Sequence, residues 1–379
     1  MKNKLVVTFC FLFLISFIIC NFLEDGLLDK EIHASMNGET FCLSNEENKN
    51  FFRKPLKVKT VYSYNDVGDK IIYKNKKDYI INYQLGLIKR AQNSRIPNYA
   101  YHKVNYLENN KFEFVSEPRN PELNVKYQIH VDYIYIPDAN ETREIQNDSK
   151  YLSQKNINKI LNDKHINIAL IEDSISCGAQ TTAQYYFDNQ ISNTFFGYLK
   201  ETLKEKYDCQ VNTNLISKNG MSREYLINNL DYIISESPDI AIIEFGMNDH
   251  IYIGANGVKL FASDIEKCIK KLKKNDIDVI IIGFFQQNQE WVEENISNTL
   301  LYNEELKELA ENENCYFADV FDIFQKVAFK KNLKEDLVVD YMHHPSDWGH
   351  QLYLTSLSPV FNVDGSIKPI EFEKYAYVR

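Results

Sequence analysis

The feature that most constrains this chain is an alternation that begins at residue 166. Ile166-Asn167-Ile168-Ala169-Leu170-Ile171 is too continuously apolar for a half-exposed strand, and a helical pattern over residues 193–206 follows it. The cycle then repeats. Strands are predicted over residues 210–216, 239–245 and 277–283, each followed by a helix: 222–234, 262–273, and an amphipathic one from Trp291 to about Asn312. A short strand near 315–318 closes the series. Unbroken apolar strands alternating with helices predict a parallel sheet covered on both faces, a three-layer α/β/α domain. Functional groups of such a sheet belong at the carboxyl ends of its strands.

The region upstream reads differently. Short β-type runs at Val58–Tyr62, 70–73, 78–83 and 86–90 are punctuated by turn residues such as Asn65-Asp66 and Asn75, and residues 126–135 alternate as a long strand. This predicts a small β-sandwich or jelly-roll. With 379 residues, two domains are expected. The division is a signal peptide or signal anchor over 1–25, a linker over 26–50, a β-sandwich over 51–140 and the α/β domain over 150–379.

At the amino terminus, Lys2 and Lys4 precede a mostly apolar run from Leu5 to Leu23, and Glu24 and Asp25 follow it. About 19 residues just span a bilayer, the flanking charges fit a positive-inside orientation, and no small-residue cleavage site follows. An extracellular or cell-surface protein is expected, anchored by this segment or secreted after its cleavage, with no other membrane contact. A mean hydropathy of -0.40 excludes a multi-span protein. The Lys, Asn and Ile bias is that of an AT-rich bacterial genome.

A formal net charge of -10 with no basic stripe argues against a nucleic-acid partner. The 7 cysteines are scattered without a CxxC pair, which fits neither a disulfide framework nor a zinc site. The 25 Tyr and 23 Phe suit β-rich structure and carbohydrate-facing surfaces.

Polar groups stand where the predicted strands end. Glu172-Asp173-Ser174 follows the first, Ser217-Lys218-Asn219-Gly220 the second, and Gly246-Met247-Asn248-Asp249 the third. Near the carboxyl end stands Asp340-Tyr341-Met342-His343-His344-Pro345, with His350 further on. Singly, a serine after a strand caps a helix, an Asn-Asp makes a turn, and paired histidines beside an aspartate can ligate a metal. Together they supply a nucleophile, a base, an orienting carboxylate and oxyanion donors, the four parts acyl transfer needs.

These segments resemble blocks I, II, III and V of the SGNH/GDSL hydrolases, in order, over about residues 166–358. The resemblance implies a serine esterase with no cofactor and no metal. Ser174 is then the nucleophile, His344 the base directly before the proline, and Asp340 its orienting carboxylate. His343, three residues after Asp340, is the alternative base. The backbone N–H groups of Ser174 and Gly220 and the Asn248 amide form the oxyanion hole. One departure stands out: Glu172 occupies the place of the block I glycine, where a left-handed backbone would be costly and a charge would oppose an oxyanion.

The β-region before this domain resembles that of two-domain carbohydrate esterases, with Tyr79 and Tyr83 among its strand aromatics. The expected reaction is hydrolysis of small acyl esters, O-acetyl groups on a polysaccharide above all. A lysophospholipase, a thioesterase, an O-acetyltransferase and a catalytically decayed glycan-binding surface protein are the alternatives. Gln286, Gln287 and Trp291 follow a strand end and should reach the site face, either to meet a sugar or to fill a loop.

Overall fold

Among the described residues, seven strands precede residue 140: β1 (Ala34–Cys42), β2 (Lys49–Asn50), β3 (Pro55–Tyr64), β4 (Lys70–Ile72), β5 (Tyr79–Asn82), β6 (Leu87–Arg90) and β7 (Gln128–Tyr135). They form two small antiparallel sheets, one in the order β1-β7-β3-β4 and one in the order β2-β6-β5. The computed structural model describes residues 34–116, 118–137, 147–187 and 192–364, all within the unit Ala34–Arg379. The expected signal or anchor segment, 1–25, lies outside the described residues. Among the described residues no helix is long and apolar enough to cross a membrane.

The expected linker over 26–50 is corrected by β1 and β2. β1 pairs with β7 from Ala34↔Tyr135 to Cys42↔Gln128, with a register shift between Met36 and Glu39. Gly38 and a mid-strand glutamate obscure the alternation. Glu39 is nonetheless fully buried, its Oε1 2.9 Å from Lys331 Nζ and its Oε2 accepting the Tyr133 hydroxyl at 2.5 Å.

Beyond residue 150 the predicted alternation is present. β8 (His165–Glu172), β9 (Gln210–Ser217), β10 (Ile240–Glu244), β11 (Asp278–Ile282) and β12 (Tyr316–Ala318) form one sheet in the order β12-β11-β10-β8-β9. Every pairing is parallel. β10 is buried at each position, as a strand covered on both faces must be. After β8 the chain adds β9 on one side and β10 on the other. Between β8 and β10 the winding therefore reverses, which opens a crevice at their carboxyl ends.

Helices Phe195–Tyr207, Val320–Ala328 and Asp347–Leu357 pack as one group, and Arg223–Ser235, Val258–Lys274 and Ile296–Asn312 as another. The last begins at Ile296 rather than Trp291 because Asn295 caps it, accepting from Ser297 N and Asn298 N.

The boundary expected near 140–150 does not separate two cores. Phe41, Val61 and Tyr133 of the antiparallel region share one hydrophobic cluster with Ile168, Ile242 and Trp348. Polar contacts converge on the segment leading to the histidines. Cys42 N donates to Asp336 Oδ1 at 2.9 Å, Thr40 Oγ1 to Asp336 O at 2.5 Å, and Gln128 Nε2 to Val338 O at 2.8 Å. Asn124 Nδ2 adds a bond to Val338 O at 3.1 Å, and Val125 N one to Val339 O at 3.2 Å.

Candidate active site

Ser174 stands two residues beyond the end of β8. Asp173 Oδ1 holds the turn by accepting from Ile175 N at 2.9 Å. Its Oδ2 accepts from Asn248 Nδ2 at 2.8 Å, so the turns after β8 and β10 are tied directly together. Burial raises the Asp173 carboxyl to about 6.

Opposite, Asp340 is fully buried, and its Oδ1 accepts from three successive backbone groups: Met342 N at 2.9 Å, His343 N at 2.8 Å and His344 N at 3.0 Å. Burial opposes its charge, but the two histidines and these N–H groups win and hold the carboxyl well below its usual range. His344 Nδ1 lies 2.8 Å from Asp340 Oδ2, with the ring N–H turned off the direct line. His344 Nε2 lies 2.9 Å from Ser174 Oγ.

The structure thus brings Ser174, His344 and Asp340 into one line. His343 stands aside: its Nδ1 is 3.6 Å from Asp340 Oδ2, and its ring stacks on Trp291 with centroids 5.3 Å apart. Burial and the neighbouring His344 depress His343 to about 3, so its ring is neutral across the physiological range. His350 is buried on its helix, stacked beside Phe195.

Ser174, Gly220, Asn248, His343 and His344 line one cleft of about 640 Å³. Its remaining walls are Lys218, Asn219, Gln180, Gln184, Cys177 and Ala179. Gly220 has φ +72, a conformation glycine adopts without strain. Both Asn248 amide hydrogens are engaged, one on Asp173 and the other on Met221 O at 2.9 Å. An oxyanion bond from this amide therefore requires exchange of one of those partners.

Glu172 does not take the conformation that would make it costly. It ends β8 paired with Ser217, outside the left-handed positions of the backbone. Its side chain is fully buried and absent from the cleft wall. Burial first, then the neighbouring Glu244, pushes the Glu172 carboxyl well up, and burial does the same to Glu244. The Tyr353 hydroxyl donates to Glu244 Oε1 at 3.1 Å. Burial thus works against charge on both of these carboxyls beneath the nucleophile turn.

Of the strand-end residues expected at the site face, Trp291 reaches it by stacking on His343. Gln287 is buried and donates to Met247 O at 3.4 Å, while Gln286 accepts from Gln325 at 3.2 Å on the exposed side. Residues that the sequence reading missed surround the histidine loop. Asn288 Nδ2 donates to Tyr341 O at 2.7 Å, and Asn288 N to Met342 O at 2.9 Å. Tyr341 itself has φ +68, unusual for an aromatic residue and worth about 1–3 kcal/mol of strain.

Among the described residues, Asp340, His343 and His344 also place three ligand-type atoms within 4.8 Å of one another, a geometry open to a metal ion. His344 Nε2, however, is directed at Ser174 Oγ. The free cysteines among the described residues are Cys42, Cys177, Cys209, Cys268 and Cys315.

A serine at the crevice of a parallel α/β sheet, faced by an imidazole that a buried carboxylate backs, defines an ester-hydrolysing serine hydrolase. Residues 173–352 match the model of the GDSL-like lipase/acylhydrolase family. No curated protein matches the chain. Similar solved structures include an acetylxylan esterase from Geobacillus stearothermophilus, 18% identical, covering 52% of this chain and 94% of its own, with a TM-score of 0.43. A lipase/acylhydrolase from Enterococcus faecalis is 20% identical, covers 54% of this chain and 98% of its own, and has a TM-score of 0.44.

Proposed function

We propose that the protein hydrolyses short acyl esters, O-acetyl groups above all, carried by a polar alcohol such as a polysaccharide. The observation that carries this reading is the 2.9 Å approach of His344 Nε2 to Ser174 Oγ with Asp340 2.8 Å behind the ring. Ser174 Oγ attacks the ester carbonyl while His344 Nε2 takes its proton. The tetrahedral oxyanion is met by the N–H groups of Ser174 and Gly220, joined by Asn248 once its amide leaves Met221 O. Collapse expels the alcohol with the proton from His344 and leaves an acyl-serine. Water, deprotonated by the same imidazole, then releases the acid.

The cleft wall supports a small acyl group and a polar alcohol. Four of its side chains are amides (Gln180, Gln184, Asn219 and Asn248), Lys218 adds a cation, and its aliphatic contribution is Ala179. A long acyl chain would have little apolar surface to cover. The apolar run at 5–23 is proposed to carry the protein to the cell exterior, as an anchor or as a cleaved signal; protease treatment of intact cells tests this.

The test is turnover of p-nitrophenyl acetate against p-nitrophenyl octanoate, with fluorophosphonate labelling and a chelator control. Labelling at Ser174, preference for acetate and indifference to chelator are expected. Preference for octanoate would move the substrate to lipids. Neither turnover nor labelling would leave a glycan-binding protein without catalysis, and loss of turnover with chelator would make the Asp340-His343-His344 cluster a metal site.

A further inference from the structure

The loop that carries the base is held by residues far away in the chain. Tyr106 Oη lies 2.8 Å from Tyr341 Oη and donates to Glu290 Oε2 at 2.8 Å. Tyr341 Oη reaches the same carboxylate oxygen at 3.1 Å. Phe112, fully buried, packs its ring 5.6 Å from that of Tyr341. Its backbone bridges to the residues around Trp291, with Phe112 N donating to Glu290 O at 2.9 Å and Val292 N to Phe112 O at 3.0 Å. Trp291 in turn stacks on His343. Tyr341 sits directly between Asp340 and the three N–H groups that Asp340 gathers, and its left-handed backbone turns the chain back onto that carboxylate.

A non-glycine residue keeps such a conformation only where its surroundings over-determine it. Here the surroundings are the Tyr106–Glu290 pair, the Phe112 ring and Asn288. Two of these, Tyr106 and Phe112, belong to the segment between β6 and β7, and the flanks of the same loop are held by Cys42, Asn124 and Gln128.

We infer that the antiparallel region is the positioning element for the catalytic base, with Tyr106 and Phe112 as positioning residues that fix Tyr341 and through it Asp340 and His344. This rests on the serine-esterase reading above. The region's role in turnover is therefore mechanical and independent of any sugar it meets.

The experiment compares the full protein with Tyr106→Phe, Tyr106→Ala and Phe112→Ala. Active sites are titrated by fluorophosphonate, so that kcat is counted per reactive serine. Tyr73→Phe, which breaks the Ser63–Tyr73 contact elsewhere in the same region, serves as a stability control. Loss of the bracket should lower kcat per titrated site by roughly 10- to 100-fold with KM nearly unchanged, the scale of a misplaced reacting group. Tyr106→Phe, which keeps the ring, should recover part of the loss seen in Tyr106→Ala.

The control should lower the melting temperature without touching kcat per site. Unchanged kcat per titrated site in both Tyr106→Ala and Phe112→Ala would overturn the proposal while leaving the esterase reading intact. A wild-type protein that neither turns over ester nor labels at Ser174 would overturn both.

Discussion

The two halves of the site are held in different ways. The nucleophile turn belongs to the sheet: β8 pairs on both sides, and Asp173 is shared between the turns that follow two neighbouring strands. The base loop does not end a strand of the parallel sheet. A strained residue shapes it, a carboxylate gathers its N–H groups, and side-chain and backbone groups from segments hundreds of residues upstream clamp it. One half is rigid through backbone pairing and the other through side-chain packing. The second kind yields to single substitutions.

The sharpest break is chemical. Ser174→Ala should abolish serine-dependent turnover, by on the order of a million-fold in kcat, and His344→Ala should fall nearly as far. His343→Ala should lose far less, since its ring packs against those of His344 and Trp291 while it is His344 Nε2 that lies 2.9 Å from Ser174 Oγ. Equal losses at both histidines in initial-rate assays would put them in joint service.

Asn248→Ala is next. Removing an oxyanion donor lowers kcat about 100- to 1000-fold. Here the change also cuts the tie between the two turns, so the melting temperature should fall as well, which a pure oxyanion donor would leave in place. Thermal unfolding alongside initial rates separates the two.

Trp291→Ala tests the softer half. Loss of the ring stacked on His343 should reduce kcat several-fold and leave labelling of Ser174 intact, provided the bracket around Tyr341 survives. A loss as large as that of His344→Ala would show the base loop to be less redundant than its contacts imply.

The smallest effect concerns pH. Burial raises Glu294 to about 7, above the ordinary carboxyl value of 4.5. A folded-state value above the unfolded one contributes stability that is full below about pH 4.5 and is lost as pH rises through about 7. Glu172 and Glu244 act in the same direction, their loss lying at higher pH than an ordinary carboxyl would give. Glu294→Gln should flatten stability between pH 4.5 and 7 in urea titrations, and Glu172→Gln should improve it in alkali. Steeper loss in either variant would contradict the upward shift that burial gives these carboxyls.

The same contrast decides what could be read in advance. β8, β10 and β11 were legible because burial on both faces writes them as apolar runs, and the site residues were legible because they sit where those runs stop. β1 was not, since Gly38 and the buried Glu39 interrupt its pattern, and a glutamate paired with Lys331 looks like an exposed one in sequence. Tyr106 and Phe112 were illegible for another reason. Their importance depends on Tyr341, 235 residues away from Tyr106, and no local pattern reports a contact of that span.

The bond between Cys42 and Asp336 joins positions 294 apart. During synthesis β7 can pair with β1 as soon as it emerges, yet the pocket on Asp336 does not exist until about 200 further residues have left the ribosome. Loop closure of that length is slow and exposes apolar surface meanwhile. This protein should therefore become resistant to protease late and abruptly, as one cooperative event, rather than domain by domain as its sequence implies.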